Sequence, residues 1–293
     1  RVTYETLDDG RIARIWLNRP DAQNAQSRTL LVQLDEAFTR AEADDRVRVV
    51  ILAARGKNFS AGHDLGSEEA VLERTPGPAQ HPTFRINGGT RDAIAERTYL
   101  QEWHYYFENT RRWRDLRKIT IAQVQGNVIS AGLMLMWACD LICAADDARF
   151  SDVVAVRMGM PGVEYYAHPW EFGPRKAKEL LLTGDSIDAE EAYRLGMVSK
   201  VFPRAELEER TLQFARRIAE RPTMAALLVK DSVNAAADAM GFTEALRHAF
   251  HIHELGHAHW ASANENRWPV AMPPDVPDWR TLGAPKPARR DEP

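Results

Sequence analysis

Two β-branched runs, RIARIWL at Arg11 to Leu17 and VRVVILA at Val47 to Ala53, flank a stretch in which Leu30, Leu31, Leu34, Ala37 and Phe38 recur at helical spacing. The pattern predicts strand, helix, strand. After a long polar stretch, ITIAQV (Ile119 to Val124) predicts another strand, GLMLMWA (Gly132 to Ala138) a short buried helix and DLICAA (Asp140 to Ala145) a further strand. Helical spacing then dominates: Arg175 to Leu182, Ala189 to Leu195, Glu206 to Glu220, Met224 to Ala237, and Gly241 to about His257. The order describes an α/β core followed by a helical region. Two segments lack periodicity, from Gly66 to about Arg97 and from about Asn264 to Pro293. The second is proline-rich and reads as an extended or loosely ordered tail. The organisation expected is an α/β core over 1–203, a helical region over 204–260 and a tail over 261–293, with no tandem repeat.

Composition narrows the class. A chain of 293 residues, 44% hydrophobic and 27% charged, has the balance of a soluble globular protein and is long enough to bury a substantial core. Its formal net charge of −4 argues against non-specific nucleic-acid binding, which needs surplus clustered Lys and Arg, so a small-molecule partner is expected. The two cysteines, Cys139 and Cys143, have neither zinc-knuckle spacing nor the number for a disulfide framework, and a reduced, cytoplasmic compartment is the reading adopted. No apolar run approaches bilayer length, and RVTYETLDDG lacks the order of a signal peptide, so no membrane association is expected.

Three stretches carry the chemistry: LNRPDAQNA (Leu17 to Ala25), FSAGHDL (Phe59 to Leu65) and QGNVISAGLMLMWACDLICA (Gln125 to Ala144). A small-residue turn such as SAGHD lets backbone N–H groups approach a ligand closely. VISAGLML is a strand, a small-residue turn and a helix start, whose free N–H groups face a negative oxygen. In order and spacing these blocks resemble the signature blocks of the crotonase (enoyl-CoA hydratase/isomerase) superfamily. ARF (Ala148 to Phe150) and LLLTGDSIDAEEAYRLGMVSKVFP (Leu180 to Pro203) extend the resemblance to roughly residues 1 to 255. It implies a crotonase-like α/β spiral of ββα units with a C-terminal helical oligomerisation region that builds homotrimers or homohexamers. It also implies an acyl-CoA substrate, with coenzyme A part of the substrate and no separate cofactor. The backbone amides of His63 and Ala131 would form an oxyanion hole for the thioester carbonyl as it becomes an enolate. Ala25, Ser60, Ala61, Asp64 and Leu65 from the first two blocks, Gly132 and Met134 from the third, and Val154, Gly159 and Pro161 beyond it would line the substrate. Arg19, Arg55 and Lys57 lie where CoA phosphates would pass, although solvated surface charge is the preferred reading for each.

The chain departs from that pattern at the chemistry itself. Hydratases of the family use two glutamates, one activating water and one delivering a proton. Aligned blocks place Met134 at the first and Val154 at the second, and neither side chain exchanges protons. Glu164 is the first candidate for a relocated acid/base group and His168 the second, both in PGVEYYAHPWEFGP, with Asp152 a further contender. Tyr165, Tyr166, Trp170 and Phe172 read as packing or acyl-pocket walls. Isomerase, hydrolase or decarboxylase chemistry on the same oxyanion hole, or a catalytically silent CoA-ester binding subunit, are the alternatives to hydration.

One motif points elsewhere. HELGH, His253 to His257, has the two-histidine, one-glutamate spacing of a zinc protease. Downstream, AHWASANENRW supplies no third ligand at the usual spacing and Glu265 comes too soon, so no metal is expected and a zinc hydrolase is the remote alternative. Five of the nine histidines crowd between His248 and His259, which makes a chance motif unsurprising. Opportunistic metal binding by His253, His257 and His259, or a pH-sensitive subunit contact, completes the readings of this segment.

Overall fold

The computed structural model describes residues 1–67, 69 and 94–263. Most of the aperiodic segment after Gly66, and the tail from 264 onward, lie outside the described residues. The frame is a six-stranded sheet in the order β1 (Val2–Leu7), β2 (Ile12–Leu17), β3 (Val49–Ala54), β4 (Ile119–Val124), β6 (Leu141–Ala145), β9 (Lys200–Phe202). β1 is antiparallel to β2; every other pairing in this sheet is parallel, with Ile12 opposite Val49, Val49 opposite Ile119, Ile121 opposite Leu141 and Cys143 opposite Lys200. A second, three-stranded sheet joins β5 (Asn127–Ile129), β7 (Arg149–Ser151) and β8 (Ile187–Asp188).

β2, β3 and β4 are buried at every position, as parallel strands covered on both faces must be. Alternate residues divide between two cores. Ala13, Ile15, Leu17, Val50 and Leu52 point into the main core with Leu30, Leu31, Leu34 and Phe38 of α1 (Arg28–Ala43). Ile12, Trp16, Val49, Ile51 and Ala53 face Leu207, Ala215 and Ala219 of α8 (Leu207–Ala219).

Between the strands come α2 (Ile94–Glu102), a π-helical stretch over Trp103–Glu108, α3 (Asn109–Arg114), α4 (Ala131–Trp137), α5 (Val154–Met158), α6 (His168–Thr183) and α7 (Ala189–Leu195). α9 (Thr223–Ala239) and α10 (Phe242–Ala263) follow α8. α10 runs past the His257 end expected from sequence. α6 begins seven residues before the expected Arg175, because its first part is broken by Gly173, φ +73°, ahead of Pro174, which cannot continue the hydrogen-bond ladder. β1 and the α2–α3 region escaped the pattern: β1 is an edge strand of mixed burial, and the π-helical stretch shifts the helical period. Cys139 and Cys143 are both free and buried, and burial pushes each thiol up to about 12. Among the described residues no helix is long and apolar enough to cross a membrane.

Candidate active site

Two small-residue turns are pressed together on the edge of the main core. Gly62, at φ +92°, lies so close to the start of α4 that a Cβ there would stand 3.0 Å from the Ile129 carbonyl oxygen and 3.4 Å from the Ala131 nitrogen. Gly132 answers from the other side, where a Cβ would stand 2.7 Å from the Ser60 carbonyl oxygen. Only glycine permits this approach at either position. The Ser130 backbone, at φ +47° and ψ −114°, is a strained conformation for a non-glycine residue; the Ser130 N–H holds it by donating to Ser151 O at 2.8 Å, and Ser130 Oγ accepts from Val153 N at 3.2 Å.

The direction of the two candidate amides follows from their neighbours. Gln26 N donates to Gly62 O at 2.8 Å, and Asp64 N donates to Gln26 O at 3.1 Å, so the groups flanking His63 are used on one side and its own N–H points to the other. Ala131 is the first residue of α4, a position whose N–H has no partner within the helix. Among the described residues neither N–H is donated to a protein acceptor.

The other sequence-expected residues gather around these turns in different states. Ser60 is fully buried, and its Oγ donates to Asn24 O at 2.9 Å and accepts from Gly62 N at 3.2 Å, which fixes the turn. Ala25, Ala61, Leu65 and Pro161 are half-buried, and Gly159 is exposed at the end of α5. Asp64 accepts from Arg19 and from Ser67 Oγ and N, and these partners outweigh its burial and hold its carboxyl below the usual range. The Arg19 guanidinium is therefore buried against Asp64, which corrects its reading as a solvated charge; Arg55 and Lys57 are exposed, with Arg55 stacked 3.5 Å over the Trp16 ring. Met134 and Val154 are buried and apolar.

Two ionisable pairs lie beside these turns. Glu164, 2% exposed, accepts from His63 Nε2 at 3.1 Å to each carboxylate oxygen. The His63 ring stacks 3.7 Å from Tyr106, and its Nδ1 has no hydrogen-bond partner among the described residues. The residue whose amide faces the candidate hole thus carries a side chain wired to a carboxylate. His168 Nε2 donates to Asp152 Oδ2 at 2.9 Å, and Asp152 also accepts from Val154 N at 2.9 Å and Val163 N at 3.0 Å. Burial opposes that charge, but His168 and the two amides outweigh it and lower the Asp152 pKa. Asp152 is thus held ionised as the brace of this turn. Asp152→Ala is expected to cost about 3 kcal/mol of unfolding free energy, since it strands the buried imidazole and two amides. Because the native carboxyl titrates below its unfolded value, near 3.9, this contribution is complete above pH 4 to 5 and fades as pH falls through the native pKa. Urea unfolding of both proteins at neutral and acid pH measures it, and equal stability at neutral pH would refute the brace.

Glu164 also leads inward to residues the sequence did not connect. Its Oε1 lies 3.7 Å from His253 Nε2, and His253 Nε2 in turn lies 3.0 Å from His257 Nε2 and 3.2 Å from Glu102 Oε2. His257 Nε2 is 3.3 Å from Glu102 Oε1. Burial works against an imidazolium at His253, but Glu102, Glu164 and the Gly162 carbonyl overcome it and hold its pKa at about 9. Glu254, buried beside these carboxylates, has its pKa raised well above the usual range by burial and by Glu102. Glu102 and Tyr106 sit at the end of α2 and in the π-helical stretch, and nothing in the local residue pattern marks either as part of a site.

The chain as a whole is similar to known proteins. The family model described as "Enoyl-CoA hydratase/isomerase" matches residues 8–86 and 82–259. Over its whole length the chain is 60% identical to the Mycobacterium tuberculosis protein named "Putative enoyl-CoA hydratase EchA13", covering 92% of that protein. It is 31% identical to "4-chlorobenzoyl coenzyme A dehalogenase-2" of an Arthrobacter species, over 85% of this chain and 84% of the relative. A crystal structure titled as a probable enoyl-CoA hydratase from Mycobacterium smegmatis superposes with a TM-score of 0.80 at 45% identity, covering 92% of this chain and 98% of that one.

Proposed function

The chain belongs to the enoyl-CoA hydratase/isomerase family, and from that premise we propose that it turns over an acyl-CoA thioester through an enolate held by the His63 and Ala131 N–H groups, with Glu164 moving the proton. The observation that carries this reading is the contact between the Gly62 and Ala131 turns with the His63–Glu164 pair attached to it. Two amides aimed at one oxygen stabilise the charge that develops on the thioester carbonyl, each by about 3 kcal/mol. Once the enolate is lowered in energy, a single carboxylate beside it suffices to carry a proton to or from carbon.

Met134 and Val154 remove the two-glutamate scheme for hydration, so one carboxylate must do more than one task or share it. Isomerisation needs one group that takes a proton from one carbon and returns it to another. Glu164 suits that role alone. Hydration also needs a base for water, which the His63 imidazole, hydrogen-bonded to Glu164, is placed to share.

The test is mass-resolved turnover of a panel of enoyl-CoA esters with short, long and branched acyl chains. A product heavier by one water identifies hydration, and a product of unchanged mass with a shifted double bond identifies isomerisation. Binding of CoA esters with no product across the panel would overturn the catalytic reading. For the assembly, Met224, Leu228, Val229 and Val233 leave an exposed apolar stripe along α9. Such a stripe fits a subunit interface, and a homotrimer, or a hexamer built from two, is the assembly proposed.

A further inference from the structure

We propose that His253, His257 and Glu102 form a binding site for one divalent transition ion of the zinc class. This goes beyond acyl-CoA turnover and does not depend on it. The two histidines lie one turn apart on the same face of α10, and the carboxylate comes from the end of α2. All three residues are buried, and their ligand atoms lie within 4.8 Å of one another.

The distances decide more than proximity does. Zinc bonds of about 2.0–2.1 Å arranged as a tetrahedron separate neighbouring ligand atoms by about 3.3 Å. The three edges found are 3.0 Å between the two Nε2 atoms, 3.2 Å from His253 Nε2 to Glu102 Oε2, and 3.3 Å from His257 Nε2 to Glu102 Oε1. Glu102 is only 6% exposed, so its carboxylate meets these two rings away from solvent. Each Glu102 oxygen thus faces one ring nitrogen in the interior, and the three groups close a buried triangle with the edges of a ligand set.

The tautomer agrees. His253 Nδ1 lies 2.6 Å from the Gly162 carbonyl oxygen, which can only accept, so Nδ1 carries the hydrogen. In the neutral ring the lone pair is then on Nε2, facing Glu102 and His257, and the carbonyl fixes the ring's orientation as outer partners of metal-bound histidines do. Two imidazoles with one carboxylate select zinc-class ions over calcium or magnesium, which prefer oxygen ligands. The Glu164 carboxylate lies close to the same point, its Oε1 3.7 Å from His253 Nε2. Gly256 lets α10 seat closely enough to present this face, since a Cβ there would stand 2.8 Å from Met160 Cγ.

The third ligand missing downstream of HELGH is supplied from upstream. Glu102 takes the place that His259, which is exposed, was expected to share. An ion held there would staple α2 to α10 beside Glu164 and hold that carboxylate's neighbours in place, a positioning role.

The experiment is equilibrium dialysis of the full chain, first stripped with chelator, against zinc alone and then cobalt(II) alone. Elemental analysis reads stoichiometry, and the visible cobalt spectrum reads coordination. The wild type is expected to bind one ion per chain with a four-coordinate cobalt spectrum, and zinc is expected to raise its melting temperature. Glu102→Gln and His257→Gln, both close in size to the native residue, are expected to bind on the order of 100-fold more weakly and to lose the melting shift. A variant with His248, His251 and His259 all changed to Asn should bind as the wild type does. No stoichiometric ion in the wild type overturns the site. So does binding that survives Glu102→Gln and His257→Gln in chains still folded by circular dichroism, or that disappears with the three surface histidines.

Discussion

Glu164→Gln is expected to lower kcat about a thousand-fold on a true substrate while KM stays within a few-fold of wild type. Glutamine keeps an oxygen that accepts from His63 Nε2, so the buried contact and the ring's stacking on Tyr106 survive. Proton exchange is what it removes. An interaction made only as the proton moves affects kcat rather than ground-state binding, which is why the two parameters should separate. Steady-state kinetics of the purified variant measure this, with its melting temperature as a control for folding. Unchanged kcat would sink the assignment of Glu164 and move attention to the Asp152–His168 pair, which is equally buried but saturated by two backbone amides.

Gly132→Ala is the second change with a large expected effect. The added methyl would stand 2.7 Å from the Ser60 carbonyl oxygen, inside any real carbon–oxygen contact, and the obstacle is backbone rather than a flexible side chain. Relief requires the FSAGHDL turn and the start of α4 to separate, which pulls the His63 and Ala131 amides apart. Loss of one donor's alignment corresponds to about 3 kcal/mol of transition-state stabilisation, so kcat should fall about 100-fold or more. The six-stranded sheet does not involve Gly132, and the variant should remain folded by circular dichroism and still bind a CoA ester. Full activity in a folded Gly132→Ala would mean that the paired turns do not form the oxyanion hole.

Much of the fold was legible because burial on both faces leaves an unmistakable record: β2, β3, β4 and β6 appear as apolar runs close to the predicted bounds, and α1 as a stripe of leucines. The two small-residue turns were legible for a related reason, since close backbone approach demands small residues at fixed places. Arg19 was misread because nothing local reveals a partner such as Asp64, 45 positions away along the chain. Glu102 and Tyr106 were invisible, lying in a helical stretch whose period is broken by a π turn and far in sequence from Glu164, His63 and His253.

By itself, then, the sequence determined the α/β order and the family, and it puts apolar Met134 and Val154 where the resemblance expects two glutamates. These are local matters of periodicity, residue size and residue type. Tertiary structure alone decided that Glu164 is a buried partner of His63 rather than a solvated carboxylate. It also decided that HELGH turns its histidines inward onto Glu102 rather than out to solvent. The physical reason is that an ionisable side chain takes its chemistry from charges and solvent within a few ångströms. Folding, not the order of residues, brings those neighbours together.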